Sequence, residues 1–573
     1  MTSGFTFDLK ITNGFIIDGS GSPGFNGEIG IRNGHLTAIG DALGDASETI
    51  DAGGHVVAPG FIDIHTHYDA QVIWDRMLTI SPWHGVTSVV IGNCGFSVAP
   101  TRPEHREIII RTLENVEGMT VAALQAGLGE RWPFETFPEY LDALQLRGIA
   151  INVGAFIGHT ALRTYVLGDD ATERDATAEE IAEMRGLVRE AMEAGALGFA
   201  TSKAVTHVGY KGKPVPSRAA NFEEILSLAS ALRDAGRGGV IQATVGPELT
   251  FERFAELNTV SGCPVTWTAL LAGAALTNES ATEQLAQSEQ LVRDGFAVFP
   301  QVTPRPLNFE FQLEAPFIFE SMRMFRPISE ADHEGKKAIY ADSTFRAKLW
   351  ERLEHKAPSL FRSGFRGTTI TEVPGRPDLS ERKLFDVAAE LGVTPVDALF
   401  DLGLATDLKA RFRMPVANHE EDEVEILLKS PVTVLGLSDA GAHANQLCDA
   451  CLTTYLFRRW VREKGALTLE EAVRMVTSRP AEVVGIHDRG RLALGLAADL
   501  VIFDPATIGD EPLRRVHDLP GGADRLVADA RGIDAVIVNG RILRRDNRDV
   551  IAPDGVLPGQ VLRNGRGTIP INI

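Results

Sequence analysis

The chain has 573 residues, too many for one ordinary core, so we expect one large domain with one or two smaller ones, and its content of 44% hydrophobic and 23% charged residues is typical of a globular protein. Its formal net charge of −21 argues against nucleic acid or an anionic membrane as a partner, because both favour basic surfaces. The sequence contains neither an apolar run long enough for a membrane span nor a signal peptide, and its four cysteines are too few for a disulfide framework, so we expect a cytoplasmic protein.

Short β-strands separated by Gly and Asn turns are predicted at both ends of the chain. The segment before residue 57 contains the hairpin signals "TNG" and "RNG", and "DAVIVNGRILRRD" at 534–546 has the same character. We therefore predict one small β-domain assembled from residues 1–56 and 491–573, with a different central domain at 57–490.

Eight apolar runs rich in β-branched residues alternate with helical stretches in the central region. Their bounds are 61–67, 87–94, 151–159, 195–202, 239–246, 264–271, 297–304 and 433–439. This alternation predicts an α/β fold in which eight parallel strands and their helices form a (β/α)8 TIM barrel.

The seventh and eighth runs are about 130 residues apart, which predicts an insertion at about 306–380. The Phe-rich segment "NFEFQLEAPFIFESMRMFRPI" within it is interpreted either as a small satellite core or as a lid or wall over the barrel mouth.

Polar side chains end several of these runs, where barrel active sites are built. His65 and His67 end the first run, and residues i and i+2 of a strand share a face, so both can point into the mouth. With Cys94 after the second run and Asp439 after the eighth, they offer the nitrogen, sulfur and oxygen donors that Zn2+ prefers. Zinc activates water and polarises a carbonyl, and Asp439 can carry a proton from that water to a leaving amine. The alternative is a pair of hydrogen-bonded core histidines.

Three further histidines are candidates for the site. His159 begins "HTALR" after the third run and is predicted to act on the substrate, with a helix cap as the alternative. His207 follows the fourth run as a spare ligand or substrate contact, and His443 is predicted to be a ligand, a substrate contact or the partner that orients Asp439.

Three cations follow strand ends and are predicted to bind an anionic part of the substrate. Lys203 follows the fourth run, either as a simple lysine at the mouth or as a carboxylated metal ligand. Arg163 and Arg305 can match a carboxylate with two hydrogen bonds, although structural salt bridges are equally consistent with the sequence.

The motifs "APGFIDIHTHYD" and "GRLALGLAADLVIFDP" resemble those of the amidohydrolase superfamily, and "WHGVTSVVIGNCGFSVAP", "GHTALR" and "GLSDAGAH" resemble those of N-acyl-D-amino-acid deacylases. The resemblance covers nearly the whole chain. It implies a barrel with a β-sandwich built from both termini, a homo-oligomer, and hydrolysis of an amide-type C–N bond with one or two divalent metal ions, commonly zinc. It also implies metal and acid–base roles for His65, His67, Cys94 and Asp439.

The sequence departs from that family at the fifth and sixth runs, where D-aminoacylases carry metal-binding histidines. Here the runs read "IQATVG" and "TWTALLAG", without histidine. We therefore predict one zinc ion held by His65, His67, Asp439 and Cys94, with two ions as the alternative.

Three functions are consistent with these features. The first is a metal-dependent hydrolase of a small N-acylated amino acid, possibly of the D-series, or of a related amide. The second is a hydrolase of a bulky aromatic or xenobiotic amide, lactam, carbamate or ester, which the Phe-rich insertion favours. The third is a degenerate barrel that binds a ligand without catalysis, against which the retained His65, His67, Cys94 and Asp439 argue.

Overall fold

The computed structural model describes residues 6–273, 279–319, 322–356 and 365–564. Its centre is an eight-stranded parallel sheet in which each strand pairs with the next in chain order. The strands, called barrel strands one to eight, are Phe61–Asp63, Val86–Ile91, Asn152–Gly158, Gly198–Ser202, Val240–Thr244, Val265–Thr268, Val298–Val302 and Val434–Leu435. A parallel bridge between Thr66 and Ala440 joins the first strand to the eighth. The predicted (β/α)8 barrel is therefore confirmed.

Nearly every residue of these strands is buried, because helices cover the outside of the barrel and side chains fill its interior. The helices outside the insertion are Arg106–Glu117, Val121–Leu128, Phe137–Arg147, His159–Leu167, Ala178–Ala194, Pro216–Ala219, Phe222–Ala235, Phe251–Ser261, Ala281–Arg293, Glu421–Lys429, Leu452–Tyr455, Leu469–Val476 and Ser478–Val484. Local sequence sets their limits. For example, Thr177 and Glu180 form a capping box at the start of Ala178–Ala194, and Gly195 ends it with φ of 113°.

Both ends of the chain contribute to a nine-stranded sheet, as the sequence predicts. Its strands are Phe7–Ile16, Phe25–Arg32, His35–Gly40, Ala46–Asp51, Val56–Pro59, Leu500–Phe503, Ile533–Val538, Arg541–Arg545 and Arg548–Asp549. The two halves meet where Val56–Pro59 pairs antiparallel with Leu500–Phe503. Two short hairpin-like pairs follow, Gly509–Asp510 with Ala530–Arg531 and Arg514–Val516 with Arg525–Val527. The domain limits at 56/57 and 490/491 stay predictions.

The insertion after barrel strand seven has its own antiparallel sheet and its own apolar core. Its strands are Leu307–Gln312, Thr369–Glu372, Arg382–Lys383 and Arg411–Ala417, and its helices are Arg326–Glu330, His333–Ala341, Ser343–Glu351, Leu384–Leu391 and Pro395–Ala405. The sheet extends beyond the predicted limit of 380, because its last strand, Arg411–Ala417, pairs with its first. Residues 320–321 and 357–364 of the predicted insertion lie outside the described residues.

The Phe-rich segment contributes mainly to that core. Phe311, Phe319 and Phe325 are buried there, which agrees with the satellite-core interpretation. Phe309 packs on the same core and also lies with its ring 5.5 Å from that of His443, so one residue of the segment reaches the barrel mouth.

The structure bears on two further expectations from the sequence, the lack of a membrane span and the lack of disulfide bonds. No helix within the described ranges has the length and apolarity needed to cross a membrane. Cys94, Cys263, Cys448 and Cys451 are all buried and free of disulfide bonds.

Candidate metal centre

The two histidines of "HTH" project together from the end of barrel strand one. Their side chains are 1% and 7% exposed, and their ring centroids are 5.3 Å apart. Thr66 between them points the other way and donates its hydroxyl to the Val90 carbonyl at 2.8 Å. The i, i+2 alternation of an extended chain therefore brings both imidazoles to one side.

A tight turn after barrel strand two brings Cys94 to the same place. Gly92 has φ of 83° and Cys94 φ of 56°. A Cβ on Gly92 would lie 2.3 Å from the Phe156 carbonyl oxygen, so only glycine fits there. The turn places Cys94 Sγ 3.4 Å from His65 Nε2.

Asp439 approaches from the end of barrel strand eight. Its Oδ1 lies 3.4 Å from His65 Nε2 and 3.7 Å from His67 Nε2. At 21% its side chain is more exposed than those of the two histidines, so it stands on the solvent side of the cluster. His65, His67 and Cys94 have donor atoms within 4.8 Å of one another, and Asp439 lies beside them through its contacts with the two histidines.

The other nitrogen of each histidine is held by a partner. His65 Nδ1 lies 2.7 Å from Gln301 Oε1, and the amide of Gln301 is oriented by donating its Nε2 to Thr266 Oγ1 at 3.2 Å. His67 Nδ1 lies 3.1 Å from Glu117 Oε1, and Glu117 is buried. Both contacts favour a proton on Nδ1, which leaves the Nε2 lone pairs directed at the shared space.

The electrostatics of the cluster follow from this packing. Burial alone would raise the pKa of the Cys94 thiol, but His65 and His67 outweigh it and lower the pKa to about 6. Burial would lower the pKa of His67, but Glu117 and Cys94 raise it well above its usual value. Acidic groups therefore surround the two imidazoles, an arrangement that a cation would stabilise.

The donor set fits a zinc ion. Ligand atoms around tetrahedral zinc lie roughly 3.3–3.8 Å apart, from bond lengths of about 2.0–2.3 Å. The separations of His65 Nε2 from Cys94 Sγ and from Asp439 Oδ1 are both 3.4 Å. Outer partners orient the two histidines, since Gln301 hydrogen-bonds His65 and the buried carboxylate of Glu117 contacts His67 as an ion pair.

Barrel strands five and six carry no imidazole, thiolate or carboxylate beside Cys94. Gln242 Oε1 accepts the Cys94 backbone N–H at 2.6 Å, and its Nε2 donates to Thr268 Oγ1 at 3.4 Å. Thr268 in turn donates to Thr244 Oγ1 at 3.2 Å. An amide and two hydroxyls, hydrogen-bonded to one another, thus occupy the strand ends where the sequence lacks histidines.

Two predicted histidines stand beside the cluster. His207 Nδ1 lies 2.7 Å from Ser202 Oγ, and its ring lies 5.0 Å from that of Phe96, which also neighbours His67. Burial, with the nearby His67 and His443, lowers the pKa of His207 to about 3. Burial also lowers the pKa of His443, against the opposing effect of Glu117 and Asp439. Both shifts favour the neutral form of the ring.

The structure places His159 and Arg163 in a separate buried group. His159 Nδ1 lies 2.8 Å from Thr201 Oγ1 and its Nε2 lies 2.9 Å from Glu224 Oε1. Arg163 pairs with the other oxygen of Glu224 and donates to the Ala171 carbonyl at 2.8 Å. These contacts use both nitrogens of His159, so they favour a structural role for the two residues.

Lys203 and Arg305 also have partners inside the protein. Lys203 Nζ donates to the Arg218 carbonyl at 3.0 Å and lies 3.0 Å from Glu248 Oε2. Arg305 Nε lies 3.1 Å from Asp449 Oδ1, and its guanidinium contacts Cys451. Neither side chain belongs to the cluster of metal donors.

The sequence does not predict a role for Glu117, Gln242 or Gln301, although both glutamines lie within barrel strands. Glu117 is the last residue of Arg106–Glu117, where the helix dipole disfavours an acidic side chain. An acidic residue at this unfavourable position is the one feature of the local sequence that indicates a role for Glu117.

Comparison with known proteins identifies the family of the chain. The profile of the amidohydrolase family matches residues 48–544. The D-aminoacylase of Alcaligenes xylosoxydans xylosoxydans is 30% identical over 93% of this chain and 94% of its own length.

Two solved structures share the architecture. One is N-acyl-D-glutamate deacylase from Bordetella bronchiseptica complexed with zinc and a phosphonate inhibitor, with a TM-score of 0.65, 28% identity, and coverage of 97% of this chain and 99% of that one. The other is a structure of D-aminoacylase that describes the functional role of its binuclear metal center. Its TM-score is 0.66 at 26% identity, and the match covers 97% of this chain and 100% of that one.

Proposed function

Because the chain belongs to the amidohydrolase family and is a metal-dependent hydrolase of amide-type C–N bonds, we propose that it cleaves a small N-acylated amino acid, or a related amide, with one zinc ion. The observation that carries this proposal is the convergence of His65 Nε2, His67 Nε2, Cys94 Sγ and Asp439 Oδ1 at the barrel mouth.

The metal would be held by His65, His67, Cys94 and Asp439. A zinc ion bound there supplies the positive charge that polarises an amide carbonyl and makes water a better nucleophile at neutral pH. Gln301 and Glu117 hold the two imidazoles in the orientation that binding needs.

Asp439 is proposed to move the proton. Its carboxylate takes a proton from the attacking water as the new C–O bond forms, and gives it to the nitrogen as the C–N bond breaks. Its position on the solvent side of the cluster lets it reach both water and leaving amine. One proton is therefore transferred twice, and Asp439 returns to its starting state.

A single metal ion is proposed because of the side chains beside Cys94. The carbonyl oxygen of Gln242 accepts the Cys94 backbone N–H, and the Thr268 hydroxyl donates to Thr244. A second cation there would have to break these buried hydrogen bonds and would gain no imidazole, thiolate or carboxylate from these residues.

Hydrolysis of bulky aromatic or xenobiotic amides is the second candidate function. Phe309, which contacts His443, is the observation in its favour. Substrate profiling separates this candidate from the first. A strong preference for one enantiomer of small N-acyl amino acids would exclude the hydrolysis of bulky aromatic amides.

The test is hydrolysis of N-acyl amino acids by the zinc-loaded protein, followed as release of free amine. Asp439→Asn is expected to lower kcat by about 100-fold or more, the usual contribution of a proton carrier. Asp422→Asn, at an exposed position of helix Glu421–Lys429, is the matched control and should retain full activity. Undiminished hydrolysis by Asp439→Asn would contradict the proposed mechanism.

A further inference from the structure

A cavity of about 650 Å3 lies at the end of the barrel opposite to the metal cluster. Five residues of the segment 428–433, which directly precedes barrel strand eight, form part of its wall. Residues that precede a barrel strand lie at the end opposite to the mouth, whereas Asp439 follows the same strand at the mouth. The cavity is therefore separate from the candidate active site, and its volume is typical of small-molecule sites.

The sheet built from both chain ends closes one side of this cavity. Ser20 and Gly21, in the loop after strand Phe7–Ile16, belong to its lining. The loop is attached to the barrel, because Ser478 Oγ donates to the Gly19 carbonyl at 2.6 Å. The cavity thus lies where the sheet meets the barrel, and its wall is formed in the folded chain.

The described lining of the cavity is strongly basic. It contains four cations and one carboxylate, whereas the whole chain has 77 acidic residues against 56 basic ones. The cations are Lys429, Arg474, Arg479 and Arg491. The carboxylate, that of Glu471, already accepts the Thr468 backbone N–H at 2.8 Å and the Thr468 hydroxyl at 2.9 Å.

The three arginines of the cavity share one acidic partner among the described residues, Glu482. Arg491 Nη2 lies 3.2 Å from its Oε1. Arg474 Nη2 and Arg479 Nη1 lie 3.8 and 4.0 Å from its Oε2. Burial lowers the pKa of Arg479, and Arg474 lowers it further, against the opposing effect of Glu482. An anion in the cavity would add the negative charge that these guanidinium groups lack.

Arg479 is held in place by backbone carbonyls at the start of barrel strand eight. Its Nε donates to the Thr433 carbonyl at 3.2 Å and its Nη2 to the Val432 carbonyl at 3.3 Å. The guanidinium also lies over the Phe299 ring, 4.8 Å from its centroid. A guanidinium oriented in advance loses little freedom when it binds an anion through Nη1.

The rest of the lining adds an apolar surface beside the cations, formed by Pro431, Leu467 and Met475. We propose that the cavity binds a small organic phosphate, with the phosphate group on the arginines and the organic body against this apolar surface. A phosphate monoester carries a charge of about −1.5 to −2 at pH 7, and its oxygens accept two parallel hydrogen bonds from one guanidinium. This binding site is additional to the metal centre and does not depend on the proposed function.

The test is titration calorimetry of the zinc-loaded protein with phenyl phosphate and with its two parts, inorganic phosphate and phenol. Phenyl phosphate is expected to bind once per chain with a Kd of about 1 mM or lower, a value typical of a ligand of this size. Inorganic phosphate and phenol should each bind about tenfold more weakly, because each makes only one of the two kinds of contact.

Two substitutions locate the binding. Arg474→Gln and Arg491→Gln should each raise the Kd of phenyl phosphate by about 10-fold, the usual effect of losing a charged hydrogen bond. Arg189→Gln is the matched control, because Arg189 lies outside the cavity, is 59% exposed and is 3.9 Å from Glu193. Its Kd should equal that of the wild type. Thermal unfolding without ligand checks that all three variants fold.

The His65→Ala/His67→Ala variant distinguishes the cavity from the metal centre, and it should bind phenyl phosphate as the wild type does. Loss of binding in that variant would place the ligand at the metal and overturn the inference. An unchanged Kd in both Arg474→Gln and Arg491→Gln would overturn it as well. Equal binding of inorganic phosphate and phenyl phosphate would overturn the assignment of an organic phosphate, and equal binding of phenol would overturn that of an anion.

Discussion

The carboxylate of Glu117 should determine how tightly the site holds its metal. Glu117 Oε1 lies 3.1 Å from His67 Nδ1, and the two side chains are 4% and 7% exposed, so solvent screens the pair little. Glu117→Gln keeps the volume and an oxygen acceptor but removes the charge that makes His67 a stronger ligand. Partners of this kind contribute about 10- to 100-fold in metal affinity, or roughly 1.4–2.8 kcal/mol.

The assay is competition for zinc between the protein and a chromophoric chelator at fixed pH. Glu107→Gln is the matched control, because Glu107 lies on the same helix with a side chain that is 56% exposed. Thermal unfolding of the zinc-free proteins checks that both variants fold. A zinc Kd for Glu117→Gln within about threefold of the wild type would refute the role given to this contact.

Two other substitutions test separate parts of the structure. Cys94→Ser replaces the thiolate with a poor zinc ligand, so zinc retained after dialysis should fall to a small fraction of the wild-type amount, while undiminished zinc would remove Cys94 from the ligand set. Glu224→Gln leaves the buried guanidinium of Arg163 without its counter-charge and should reduce the free energy of unfolding by about 3 kcal/mol or more. Urea denaturation measures this loss, and Glu223→Gln, at the exposed neighbouring position, should stay within about 0.5 kcal/mol of the wild type. Equal effects of the two glutamate substitutions would contradict the structural role of the buried pair.

The sequence predicted the barrel well because its signals are local. Most barrel strands are short apolar runs that alternate with helices, and the order of the runs along the chain is the order of the strands in the sheet. The HxH pair was predictable for the same reason, since the spacing of His65 and His67 within an extended segment fixes their common direction.

The limit of the insertion was harder to predict. Helices Leu384–Leu391 and Pro395–Ala405 have the same apolar periodicity as barrel helices, although they pack on the core of the insertion. The strand Arg411–Ala417 joins its sheet by pairing with residues about 100 positions earlier. Such long-range pairing leaves no local mark in the sequence.

Charge pairing was hidden from the sequence for the same reason. The partners of Arg163 and Arg305 are Glu224 and Asp449, which lie 61 and more than 100 positions away. Only the folded chain shows which carboxylate neutralises each of these cations.

The amount of metal bound per chain tests the central claim most directly. Protein purified without added metal is analysed by elemental mass spectrometry beside the His65→Ala/His67→Ala double variant. The account predicts close to one zinc ion per wild-type chain and almost none in the variant. Two ions per chain would contradict the role given to Gln242 and Thr268, and an absence of metal from the wild type would contradict the assignment of this cluster as a metal centre.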